Sequence, residues 1–131
     1  MIRILVIDDD AIVRGVLKDL LRAEGYEVLE ATNGKEGVRL YRESPTDLII
    51  TDLFMPEQEG IETIVELRRA YPAVKIVAIS GGNKSMSGID YLRMAEQLGA
   101  RRTVTKPFDI DDLLRAVREV LEQAEDEAPR N

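Results

Sequence analysis

Short apolar runs alternate along the chain with segments whose apolar positions recur every three or four residues. Ile4-Leu5-Val6-Ile7, Leu48-Ile49-Ile50 and Ile76-Val77-Ala78-Ile79 are continuous. That pattern belongs to parallel strands covered by helices on both faces, where no polar alternation is needed. Residues 26–31 and 103–105 are mixed in polarity, as edge strands can be. Between these runs, Val13, Val16, Leu17, Leu20 and Leu21 fall on one face of a helix, and Gly25 supplies its stop. Asn33-Gly34-Lys35-Glu36 resembles a capping box opening a short helix to residue 42. Ile61, Ile64, Val65 and Leu67 predict a third helix over 60–70, and a fourth is expected over 89–98, closed by Gly99. Ile110, Leu113, Leu114, Val117 and Leu121 share a face of the last helix, with Asp109 placed to cap it.

Five strand–helix units in succession predict an α/β fold: a doubly wound, five-stranded parallel sheet of the flavodoxin-like (βα)5 type. The strands are expected over 4–7, 26–31, 47–51, 75–79 and 103–105. Placing the two mixed strands at the edges gives the order 2-1-3-4-5, one of the two common doubly wound orders. Strands one and three are then neighbours across the switch point, where ligands bind in open α/β sheets. The 131 residues suffice for one buried core. The domain is expected to span 1–124, followed by a flexible polar tail over 125–131.

Composition narrows the chemistry. The chain has no cysteine and no histidine, which excludes disulfides, thiolate zinc sites and the usual general base. Catalysis must therefore run on carboxylates, hydroxyls, lysine or a metal. With 18 basic and 25 acidic residues the net charge is −7, which argues against nucleic acid as a partner. No apolar stretch reaches membrane-spanning length, and the N-terminus leads straight into a strand rather than a signal peptide, so no membrane partner and a cytoplasmic location are expected.

The strand ends carry the remaining signal. The first strand runs into Asp8-Asp9-Asp10, the third into Asp52 and the fourth into Ser80; Lys106-Pro107 follows the fifth. On one rim of one sheet, three carboxylates would repel one another unless protonated or neutralised. Mg²⁺ suits such a set, since it takes oxygen ligands and keeps waters that phosphate oxygens can displace. Asp52 then has two possible roles, metal ligand and nucleophile toward phosphorus, with Lys106 neutralising phosphoryl charge and Ser80 donating a hydrogen bond. Taken singly, an Asp after a strand is more often a cap or turn residue, which is how Asp10 is read. The combination of acidic residues, Ser and Lys-Pro on four strand ends is what favours function. The pairs Arg68-Arg69 and Arg101-Arg102 and the charge run over 119–127 read as solvated surface.

Residues 4–10, 47–56 and Lys106-Pro107-Phe108 together resemble the receiver (response regulator) domain of two-component signalling, over residues 2–123. The resemblance implies that Asp52 is the phosphoacceptor and that Asp8 and Asp9 are the acidic pair, Asp9 the more direct Mg²⁺ ligand. It also implies that the backbone carbonyl of Phe54 completes the metal site, that Ser80 is the switch hydroxyl and that Lys106 pairs with the phosphoryl group. The bond between Lys106 and Pro107 is expected to be cis. Two departures from the family stand out. Thr103 replaces the aromatic common three residues before the lysine, and the segment between Ser80 and Gly99 is longer than usual. Output is therefore expected to centre on the loop over 81–88 and the helix after it.

The resulting expectation is a stand-alone phosphoacceptor module, not an enzyme beyond its own phosphorylation and dephosphorylation. Its partners would be a sensor histidine kinase or histidine phosphotransfer protein and a downstream protein target, as a monomer or a weak phosphorylation-dependent dimer. An isolated receiver from a longer regulator is one alternative. A small aspartyl-phosphate phosphotransferase is another, but haloacid-dehalogenase-like folds carry a second Asp two residues after the nucleophile, where this chain has Phe54. A flavodoxin-like cofactor carrier is disfavoured because three aspartates would repel a flavin phosphate.

Overall fold

The computed structural model describes residues 1–53, 59–80 and 88–123, the side chains at 59 and 88–92 excepted. Its elements run β1 (Arg3–Ile7), α1 (Ala11–Ala23), β2 (Glu27–Ala31), α2 (Gly34–Glu43), β3 (Leu48–Asp52), α3 (Glu59–Ala70), β4 (Ile76–Ser80), α4 (Gly88–Leu98), β5 (Arg102–Thr105) and α5 (Ile110–Glu122). The five strands pair in parallel in the order β2-β1-β3-β4-β5. The two mixed runs are the edges, as their polarity required. The registers Ile7 to Ala31, Ile7 to Thr51, Asp52 to Ile79 and Ser80 to Thr105 bring the C-terminal strand ends to one rim.

Alternation along each strand divides the core in two. Ile4, Val6, Leu48, Ile50, Val77 and Ile79 pack against Leu17 and Leu21 of α1 and Leu113, Val117 and Val120 of α5. Leu5, Ile7, Ile49, Ile76 and Ala78 pack on the other side against Val38 of α2, Ile64 and Leu67 of α3 and Ala95 of α4. The sheet is thus the middle of three layers, which explains why the apolar runs of its inner strands show no polar alternation.

Helix ends follow their sequence signals. Asp10 caps α1, its Oδ1 accepting the N–H groups of Ile12 at 2.9 Å and Val13 at 3.3 Å. At the far end Gly25 takes φ 92°, and the bonds Gly25 N to Arg22 O and Tyr26 N to Leu21 O close a Schellman motif. Asp109 caps α5 in the same way as Asp10. At α2, Asn33 accepts the Glu36 N–H, but the Glu36 side chain reaches back to Thr32 N–H, one residue before the cap.

Several details depart from the sequence-based expectation. The apolar stripe of α1 is wider than the face it buries: Val16 is 47% exposed, and the neighbouring Ile12 is 78% exposed. Of the Arg101-Arg102 pair, Arg102 is at the surface as expected and Arg101 is not fully solvated. Arg101 is half-buried and donates to Gln123 Oε1 at 3.1 Å and Ala73 O at 3.4 Å, while Arg102 pairs with Glu119. These bonds fasten the start of β5 to the end of α5. Strand boundaries shift by a residue, and the shift at β3 makes Asp52 the last residue of the strand itself. The expected loop over 81–88, apart from Gly88 at the start of α4, and the tail over 125–131 lie outside the described residues.

Candidate functional site

Asp8, Asp9 and Asp52 meet at the rim between β1 and β3, with one carboxylate oxygen from each within 4.8 Å of the others. Sheet order produces this convergence. β1 and β3 are neighbours, so the turn after Ile7 and the end of β3 face each other across the switch point. Asp52 is 5% exposed and Asp8 is 1% exposed, whereas Asp9 is open to solvent. Lys106 reaches in from beyond β5, its Nζ 3.1 Å from Asp52 Oδ2 and 3.6 Å from Asp8 Oδ2. Its backbone is held by a bond from Lys106 N to Ser80 O at 2.7 Å, and the Lys106–Pro107 peptide is cis, as expected.

Ser80 ends β4 on the same rim, but its side chain is fully enclosed. By strand alternation it continues the side of Ile76 and Ala78, while Asp52 continues the side of Leu48 and Ile50. The structure gathers Asp8, Asp9, Asp52 and Lys106 into one cluster, and Ser80 ends the neighbouring strand β4. The backbone carbonyl of Phe54 lies outside the described residues.

The electrostatics follow from burial without enough positive charge. Desolvation holds the Asp8 carboxyl above its ordinary range, and the neighbouring charges of Asp52 and Asp9 push the same way. The Asp10 N–H, which donates to Asp8 Oδ1 at 2.8 Å, and Lys106 oppose this without cancelling it. For Lys106, burial disfavours the charge, but attraction to Asp52, its hydrogen bond with that residue and the charge of Asp8 together raise its pKa above the ordinary lysine value.

These residues fit a hard divalent cation. Asp8 Oδ2 is buried and accepts no hydrogen bond, and the Lys106 ammonium 3.6 Å away is shared with Asp52, which leaves the carboxylates with more negative charge than that one cation offsets. The cluster consists of carboxylates, the donor type Mg²⁺ takes.

Two residues of the site were not recognised from the sequence. Gly60 sits in the first turn of α3, where a β-carbon would intrude on the Asp52 carbonyl oxygen and lie 2.6 Å from Leu53 Cα. It lets α3 approach the backbone that carries Asp52. The signal available was a glycine inside an apolar-periodic helix, a position where alanine would otherwise be favoured. Arg14, one turn into α1, donates from Nη1 to the Asp8 backbone carbonyl at 2.8 Å. No spacing rule in the sequence points to that bond.

Comparison with known proteins agrees with this geometry. The family model for the response regulator receiver domain matches residues 4–118. The chain is 36% identical to the chemotaxis protein CheY of Thermotoga maritima over 119 residues, covering 90% of this chain and 96% of that one. It is 37% identical to CheY of Bacillus subtilis over 120 residues, covering 91% and 97%. Among solved structures, a response regulator receiver domain protein from Clostridium thermocellum superposes with a TM-score of 0.83 at 30% identity, over 92% of this chain and 94% of that one. With an acidic cluster at the β1–β3 switch point, a lysine from beyond β5 and a match along nearly its whole length, the chain belongs to the response regulator receiver domain family.

Proposed function

We propose that Asp52 is the phosphoacceptor of this two-component signalling module, taking a phosphoryl group from the phosphohistidine of a sensor histidine kinase or histidine phosphotransfer protein. The observation that carries the reading is the Asp52 carboxylate itself: it ends β3, 3.1 Å from the Lys106 ammonium, within a trio of carboxylate oxygens. An oxygen of Asp52 forms the new bond to phosphorus. The phosphorus–nitrogen bond of the donor breaks, and the imidazole nitrogen keeps the electron pair. Lys106 neutralises charge on the phosphoryl oxygens, and Ser80 turns its hydroxyl toward one of them. Asp8 and Asp9, with Asp52 and the Phe54 carbonyl, would hold Mg²⁺, Asp9 as the more direct ligand. When bound, Mg²⁺ supplies positive charge that offsets both the carboxylate repulsion and the charge of the incoming phosphoryl group.

Ile12, Val13 and Val16 form an open groove of about 520 Å³ with Lys106, Pro107 and Phe108. It is lined mainly by apolar side chains and ends at the lysine that touches Asp52. That continuity with the acceptor makes it the landing surface for the phosphodonor protein. The module acts in the cytoplasm, catalyses its own phosphorylation and dephosphorylation, and signals to a downstream protein target as a monomer or weak phosphorylation-dependent dimer. No helix among the described residues is long and apolar enough to cross a membrane.

Incubation with Mg²⁺ and acetyl phosphate, followed by intact mass measurement, tests the assignment. Wild type is expected to gain one phosphoryl group, and Asp52→Asn none. A stable gain by Asp52→Asn at the wild-type rate would overturn it.

A further inference from the structure

We infer that Arg14 is a positioning residue for the divalent-metal site, setting the turn that presents Asp9; the inference rests on the Mg²⁺ reading above. The Asp8 carbonyl lies just past Ile7, the last residue of β1. Arg14 takes it, donating from Nη1 at 2.8 Å. Asp8 is held at its other groups too: its N–H donates to Ala31 O at 3.1 Å, and its Oδ1 accepts from Asp10 N at 2.8 Å. Asp9 lies between these fixed residues. It is the exposed member of the trio, so the backbone on either side of it sets where its carboxylate stands.

The guanidinium is itself held in place. It is largely buried, with Nε 3.4 Å from Glu30 Oε1 on β2, and Lys18 Nζ lies 3.5 Å from the other oxygen of Glu30. The Arg14–Glu30 contact is an ion pair by distance whose alignment does not make a hydrogen bond at Nε. Its value is therefore to place the guanidinium, and the directional bond is the one to the Asp8 carbonyl. Arg14 thus links α1, β2 and the metal-binding turn. Because its hydrogen bond goes to backbone and not to a carboxylate, it acts through the shape of the turn. Partners that orient metal ligands in this way typically change metal affinity by about 10- to 100-fold when removed.

The test follows amide shifts of residues 8–10 and 52 during Mg²⁺ titration, alongside acetyl phosphate uptake at each Mg²⁺ concentration. Arg14→Met is expected to raise half-saturating Mg²⁺ about tenfold in both readouts, with uptake at saturating Mg²⁺ within about twofold of wild type. Arg14→Lys, which keeps a donor able to reach the carbonyl, should recover part of the affinity. Glu30→Gln should show a smaller loss, and serves if Arg14→Met does not fold. Arg39→Met, which removes an exposed pair with Glu43 on α2, is the control and should leave Mg²⁺ binding unchanged. A lower thermal midpoint with wild-type Mg²⁺ affinity in the Arg14 and Glu30 variants would make Arg14 merely structural and sink the inference. Failure of wild type itself to bind Mg²⁺ would instead overturn the metal reading, and the inference with it.

Discussion

At the residue scale, Asp8 shows what a buried carboxylate does to the stability of the site. Its carboxyl is buried, has an oxygen without a hydrogen bond, and titrates above the ordinary carboxylate range because burial disfavours its charge. The sign follows directly. A carboxyl whose folded-state pKa is raised contributes stability when protonated, below its unfolded value of about 3.9. That contribution is lost as pH rises through the folded value, above which the ionised group destabilises the metal-free protein. Asp8→Asn mimics the protonated form. It should raise metal-free stability at pH 7 by about 1 kcal/mol, the scale of one unsatisfied buried polar group, and abolish the stabilisation by Mg²⁺. Denaturant midpoints with and without Mg²⁺ check both halves; a destabilised variant that still responds to Mg²⁺ would contradict the account. Gly60 marks the same site from the backbone side, since any side chain there would press on the Asp52–Leu53 backbone.

At the element scale, α1 has three separate duties. Leu17 and Leu21 bury against the sheet, Asp10 caps the first turn, and Ile12 and Val16 remain exposed beside Lys106 and Phe108. The spacing in the sequence places Val16 on the apolar face of α1, and part of that face is left uncovered, because periodicity records that a face is apolar without saying what covers it. If that face receives the phosphodonor, Ile12→Ser combined with Val16→Ser should leave uptake from acetyl phosphate unchanged. Transfer from a histidine kinase or phosphotransfer protein that phosphorylates the wild-type chain should slow by about tenfold or more, the loss expected for buried apolar anchors. Equal slowing with both donors would place the effect in the active site instead. At the other edge, Arg101 departs from the solvated role expected for it by donating to the end of α5 and to the turn between α3 and β4, whereas Arg102 stays at the surface in a pair with Glu119.

At the scale of the whole molecule, stability is not spread evenly over the five strands. β1, β3 and β4 are buried along almost their whole lengths and carry both layers of the core, whereas β2 and β5 have polar, exposed positions. Native-state amide exchange should therefore be slowest in β1, β3 and β4, near the free energy of global unfolding, and faster in β5. Uniform protection across the sheet would contradict that picture. Mg²⁺ at ten times its dissociation constant should add about 1.4 kcal/mol, by mass action on the native state alone. Slowed exchange would then appear across the inner strands as well as at the site.

The sequence alone determined the number of strands, their order and the rim on which the acidic residues gather. Those follow from local chemistry: continuous against mixed apolar runs, caps such as Asp10 and Asp109, and a stop at Gly25. Tertiary structure decided what depends on neighbours distant in the chain. The enclosure of Ser80, the exposure of Val16 and the partners of Arg101 depend on which elements pack against them. So do the clearance at Gly60 and the bond from Arg14 to the Asp8 carbonyl. Periodicity reports how one residue stands to its own helix or strand; burial and hydrogen bonding depend on the other elements brought against it.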